Sequence, residues 1–210
     1  MSSREVLPTA RDRAPSPRRV QADVRRKEIL DAAQACFREQ GYHRTTVDDV
    51  AHRAGLSKGA IYWHFKGKRE VFFALFDRYM ETFELYREAA LGASSAPDAL
   101  RRMGGVLQAE EEETMEFVEL HLEYIAHASR DEEIAARYRQ MYEMLRAILQ
   151  EQVERGIREG DFRDVDPAPV TAAVMATLDG LILQKVFIPG VDLGRLWEEG
   201  IEIIIRGISA

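Results

Sequence analysis

Residues 45–65 of this 210-residue chain read TTVDDVAHRAGLSKGAIYWHF and concentrate side chains suited to a polyanion. Lys58 carries an ammonium that could reach a phosphate, or the O6 and N7 acceptors of a guanine. Thr46 has its hydroxyl at a helix N-terminus, where free amides and the positive dipole end favour a phosphate. Tyr62 joins an apolar ring to a hydroxyl, and His64 offers a ring N–H. Ser57 and Gly59 border the same surface, as cap and spacer. Trp63 either packs on a neighbouring helix or lies on the nucleic acid. Arg44 and Thr45 precede the motif, and Lys68 opens the next helix on the same side. Ile61 and Phe65 are expected to turn inward as core.

Two short helices must hold these groups. Thr46 followed by Asp49 is a capping box for the first, which ends at Gly55. Ser57 caps the second. Ala51, Ala54 and Ala60 allow a close crossing, with Val50, Leu56 and Ile61 filling the space between, so the pair predicts a helix-turn-helix. The second helix, of about eight residues, is roughly 12 Å long. That is comparable with the width of the major groove.

Net charge is −7, which taken alone argues against nucleic acid. Residues 1–70, however, carry 15 Lys and Arg against 9 Asp and Glu, whereas the remainder carries 14 against 27. A basic third joined to a strongly acidic body suits a phosphate-facing module attached to something else. Residues 1–20, rich in Arg, Pro and Ser, read as a disordered arm, with Arg11, Arg13, Arg18 and Arg19 within reach of phosphates. From Asp23 onward apolar residues recur at helical spacing. Helices are predicted from 23 to 40, over the motif, from Gly67 to Leu91, and in five further segments. Those five open near Ser95, Met115, Ser129–Glu132 (a second capping box), Asp166–Pro167 and Asp192. No segment alternates as a strand. The fold class is all-α, with about nine helices.

Residues 23–80 resemble the DNA-binding region of the TetR family of transcriptional regulators. RRKEILDAAQACFREQGY, the 45–65 core and the following KGKREVFFAL carry the resemblance, with Tyr62, Phe65 and Lys68 in that family's order. The resemblance implies a three-helix DNA-binding domain over residues 21–83. A larger helical effector-binding and dimerisation domain would follow over 84–210. It implies a homodimeric repressor on a palindromic double-stranded DNA operator, released by a small, largely apolar ligand. The helix from 67 to 91 would tilt on binding and change the spacing of the two recognition helices. In that family the last two helices form a four-helix dimer interface, for which Leu178, Leu181, Ile182, Trp197, Ile201 and Ile204 are the candidates. Met103, Phe117, Met141, Met144, Met175 and Phe187 are candidates for the ligand pocket, with His121, Tyr124 and Tyr142 as its polar anchors.

Other chemistry finds little support. His121 and His127 lie six apart and diverge on a helix, and Glu123 with His127 makes only two ligands, so no metal site is expected. Glu110 to Glu113 reads as a solvated face. No nucleotide loop or nucleophile motif is present, no cofactor is implied, and an enzyme is not expected. The lone cysteine, Cys36, falls on an apolar helix face and fits a reducing compartment. The longest apolar run, Val71 to Phe76, is far short of a bilayer span, so a cytoplasmic protein without a membrane partner is expected. The alternatives are an architectural DNA binder or an activator without induction, or a scaffold with a vestigial helix-turn-helix.

Overall fold

A computed structural model describes residues 17–112, 114–116, 118, 122 and 131–210. Among the described residues the first four helices are α1 (Pro17–Gln40), α2 (Val47–Arg53), α3 (Lys58–His64) and α4 (Lys68–Met80). Five more follow: α5 (Thr82–Leu91), α6 (Ala96–Ala109), α7 (Glu132–Glu159), α8 (Pro167–Phe187) and α9 (Leu193–Ile208). Their starts are chemically marked. Ser95, Asp131, Asp166 and Asp192 each accept a bond from a first-turn amide, and Pro167 occupies the first turn of α8, where its missing N–H is no loss.

Three expectations need correction. Residues 17–20, read as part of a disordered arm, are helical and extend α1; Arg11 and Arg13 lie outside the described residues. The helix read from 67 to 91 is divided at Glu81, whose N–H bonds back to Arg78 O at 3.1 Å while Thr82 Oγ1 donates to Tyr79 O at 2.7 Å. Those short-range bonds interrupt the regular ladder between α4 and α5. Asp131, not Ser129, caps α7; Ser129 lies outside the described residues.

Helices α6, α9, α8 and α7 pack in a cycle, each against the next, and α5 lies against α6 and α7. Buried side chains from α1, α3 and α4 (Ile29, Phe37, Ile61, Phe72) and from the α6–α9 bundle (Leu100, Leu149, Val174, Ile201) belong to one apolar cluster. Close approach is needed at Gly104, where a Cβ would stand 2.6 Å from Trp197 Nε1. That indole N–H donates to Leu100 O at 3.3 Å.

This packing overturns part of the interface expectation. Trp197 and Ile201 are 2% and 0% exposed within a single subunit, and Leu178 and Leu181 are likewise buried. Helix α9 is apolar on two sides. Leu193, Trp197, Ile201 and Ile205 turn inward on α6, while Ile203, 73% exposed, faces out. Ile182 and Ile204 are half-buried. Helix α8 also departs from expectation. Its 21 residues are long and apolar enough, by length and composition, to cross a bilayer, with Asp179 and Lys185 the helix's two charged residues. Thr171, Val174, Leu178 and Leu181 cover its inner face, while Phe187 remains exposed on the outer one.

Candidate nucleic-acid interface

The helix-turn-helix is built from local bonds. Asp49 N donates to Thr46 Oγ1 at 3.1 Å, and Thr46 N and Oγ1 donate to Asp49 Oδ2 at 2.8 and 2.7 Å. These bonds from Thr46 hold the Asp49 carboxyl below the usual carboxylate range. The C-terminus of α2 closes with Gly55 N on His52 O at 3.2 Å and Leu56 N on Ala51 O at 2.9 Å, the paired bonds of a Schellman turn. That turn requires the left-handed backbone of Gly55, φ 67°. Ser57 Oγ then accepts from Ala60 N at 3.2 Å and starts α3.

Helix α3 is anchored by one face and presents the other. Ile61 and Phe65 are buried, the latter beneath the Arg26 guanidinium at 5.1 Å from its ring centroid. On the outer side Tyr62 is 49% and Trp63 73% exposed. Trp63 is exposed instead of packed into the core, and among the described residues its ring meets His64 edge-on, at 4.5 Å. Burial, and then the Arg26 charge, lower the His64 imidazole below its usual range, so at neutral pH it is an uncharged partner. Thr46, Ser57, Lys58 and Gly59 are exposed. Lys58 Nζ sits 2.9 Å from Asp48 Oδ2, between two exposed side chains, and this bond raises its pKa further. Arg44 is exposed and donates from Nε to Gln40 O at 2.7 Å.

Two expected contacts are corrected. Thr45 is 1% exposed, with its hydroxyl turned back to Gly41 O at 2.8 Å and Cys36 O at 3.2 Å. Its side chain locks the approach to α2 and does not reach a groove. Lys68 Nζ donates to Tyr42 O at 2.6 Å and His43 O at 3.1 Å and lies 4.3 Å over the Tyr42 ring. It fastens the start of α4 to the turn between α1 and α2, which makes it a positioning residue. Arg53 does similar service, with a two-pronged bond to Glu39 at 2.6 and 2.8 Å. Cys36 is buried and its thiol is pushed up by that burial, away from reactivity.

Charged bonds also tie this unit to the body. Arg69 grips Asp131 at 2.7 and 2.9 Å and Glu133 at 2.8 Å. Arg78 bonds Asp31 at 2.5 Å and also Gln34; Gln34 and Arg38 both bond Glu116.

Residues 29–75 match the family described as bacterial regulatory proteins, tetR family, and residues 96–198 match the C-terminal region of BetI-type transcriptional repressors. The probable HTH-type transcriptional regulator ArpR of Pseudomonas putida is 32% identical over 187 residues, covering 82% of this chain and 86% of ArpR. The chain belongs to the TetR family. It is thus a DNA-binding transcriptional regulator by descent, and solved members share its fold. PfmR from Thermus thermophilus superposes with a TM-score of 0.71 at 28% identity, covering 87% of this chain and 99% of PfmR. A SmeT–triclosan complex gives 0.71 at 23% identity, covering 89% and 92%.

In this TetR-family body a cavity of about 220 Å³ lies among α4, α5, α7 and α8, with Val118 and Leu122 on its wall. Tyr79, Phe83, Tyr86 and Tyr142 supply rings, and Asp179 supplies its one carboxylate among the described residues. Burial pushes the Tyr79 phenol up to about 12 and raises those of Tyr86 and Tyr142, so all three stay neutral hydrogen-bonding groups. Of the expected pocket residues, Met141 and Tyr142 line this cavity. Met103 does not: it is buried in the core beneath α9. Met144 and Met175 pack against the core outside the lining, and Phe187 is exposed on the outer face of α8. Phe117, His121 and Tyr124 lie outside the described residues. Tyr79, Phe83 and Tyr86 escape a reading by sequence because they fall on the segment leaving the DNA-binding unit. Asp179 carried a signal, as the sole acidic residue of α8.

Proposed function

We propose that the chain is a homodimeric repressor that reads an inverted-repeat DNA operator with one α3 per subunit and leaves it when a small, largely apolar ligand fills the α4–α5–α7–α8 cavity. The observation that carries the reading is the outer side of α3. A tryptophan and a tyrosine stand in solvent beside Lys58, on a helix anchored from its other side by the buried Ile61 and by Phe65 at its end. A short helix so anchored matches the depth and width of a major groove, with phosphates accessible to Thr46 and Arg44 at its flank. A single helix of seven residues makes few base contacts, so a two-fold partner on the second half-site supplies the remaining affinity.

The dimer would use the outer faces of α8 and α9. Phe187 and Ile203, 70% and 73% exposed, leave an apolar surface that water covers poorly. The ligand-release step is supported by a continuous path. Tyr79 and Val118 line the cavity, and Arg78 and Glu116, one and two residues away, hold α1 through Asp31, Gln34 and Arg38. A ligand that fits the cavity only when α4 and the Glu116 turn have shifted draws the equilibrium toward that arrangement, by its difference in affinity for the two. SmeT, of the same fold, has been seen in complex with triclosan.

Fluorescence anisotropy on labelled DNA from the region flanking the chain's own gene tests this reading. Tyr62→Ala is expected to weaken binding at least tenfold while leaving helicity and the sedimenting dimer unchanged. Parent-like binding by that variant overturns the groove assignment.

A further inference from the structure

The cavity contains a charge that an apolar ligand would not use. Asp179 stands at its rim, exposed to solvent on one side and sharing the cavity wall with Tyr142 and Tyr79 on the other, with both phenols close enough to feel its charge. None of the described lining residues is a Lys, Arg or His. The nearest candidate on the same helix, Lys185, is bonded to Glu111 at 2.6 Å and to Val191 O at 2.7 Å. Aromatic and aliphatic neighbours desolvate the carboxylate and raise its pKa, and the nearby Tyr142 hydroxyl offsets this only in part. A neutral ligand entering here strips more water from that carboxylate and returns no charge. A cation would neutralise it, and the faces of Tyr79 and Tyr142 would attract the same positive centre.

We infer that the ligand of this cavity is an organic monocation, with its positive centre held between the Asp179 carboxylate and the rings of Tyr79 and Tyr142 and its apolar part against Phe83, Met141 and Ile182. The inference rests on the ligand-release reading and specifies the chemical class that reading leaves open. A volume of about 220 Å³ leaves room for a compact group.

Two probes of nearly the same shape separate charge from size: phenyltrimethylammonium and the uncharged tert-butylbenzene. Calorimetric titration of the full-length parent is expected to show the ammonium binding at least tenfold more tightly. Asp179→Asn should abolish that preference while keeping the affinity for tert-butylbenzene, which also reports that the cavity is intact. Asp179→Glu should retain the preference. Equal binding of the two probes by the parent, a preference that persists in Asp179→Asn, or binding of neither probe overturns the inference. If tert-butylbenzene alone binds and releases DNA, the cation inference fails and ligand release stands. If the ammonium binds through Asp179 without changing DNA affinity, the cation inference stands and ligand release fails.

Discussion

Asp48→Asn is expected to tighten DNA binding, and Lys58→Ala to weaken it. In the free chain Lys58 Nζ is held 2.9 Å from Asp48 Oδ2, with side-chain exposures of 53% and 65%. Before meeting DNA the ammonium must leave that carboxylate, and a carboxylate close to the phosphates also opposes binding. Water and salt screen a pair this exposed, so freeing the lysine gains a few-fold in affinity and no more. The loss on removing Lys58 is readable in salt. Each phosphate contact contributes a slope of about 0.9 in log affinity against log salt, so one contact changes affinity about 3.5-fold between 50 and 200 mM. The parent should therefore lose about 3.5-fold more affinity over that range than Lys58→Ala does. If Lys58 bonds a guanine instead, the slope is kept and preference at one base pair relaxes. Anisotropy titrations of the parent, both single variants and the double variant at four salt concentrations supply every term. Weaker or unchanged binding by Asp48→Asn would refute the swap. A Lys58→Ala variant with the parent's affinity, slope and base preference would remove Lys58 from the interface.

Gly104→Ala should destabilise the body by about 1–3 kcal/mol through overpacking against Trp197. In a chain of this length that lowers Tm by roughly 2–12 °C in a calorimetric scan, and an unchanged Tm would contradict the packing of α6 on α9. Asp49 has a depressed folded pKa, caused first by its bonds from Thr46 and then by Gln40 and His52. Its contribution to stability is therefore complete above the unfolded carboxyl value of about 4 and is lost as pH falls through the lower folded value. The stability difference between the parent and Asp49→Asn, measured by thermal melts across acid pH, should be constant near neutrality and shrink below about pH 4. A difference that instead shrinks on going from pH 5 to 7 would contradict the assignment. Gln34→Leu removes the link between Arg78 and Glu116, so ligand affinity should persist while the ligand's effect on DNA affinity falls. A full ligand effect in that variant would exclude Gln34 from the path.

The recognition unit was legible in the sequence because its determinants are local. Thr46 with Asp49, Gly55 and Ser57 set each helix end through bonds spanning five residues or fewer, and the structure contains them all. What failed was direction. Thr45 and Lys68 have the right chemistry for phosphates, yet the fold turns both toward backbone carbonyls at and just beyond the end of α1, which residue spacing does not encode. Helix α9 offered two apolar faces, and only the notch at Gly104 on α6 decides that Trp197 belongs inside. The cavity depends on two helix pairs, α4–α5 and α7–α8, that are distant in sequence from each other. Its rings come from α4, α5 and α7, and its carboxylate from a helix otherwise read as interface.

Methylation protection on the DNA flanking the chain's gene tests the central claim most directly, because guanine N7 faces the major groove and adenine N3 the minor. With α3 in the groove of each half-site, the bound parent should protect guanine N7 in two clusters. Their centres should lie one or more helical turns apart, in steps of about 10 base pairs. Tyr62→Ala, at the same protein concentration, should lose both clusters together. Protection confined to adenine N3, or a single guanine cluster at saturation, would contradict the account.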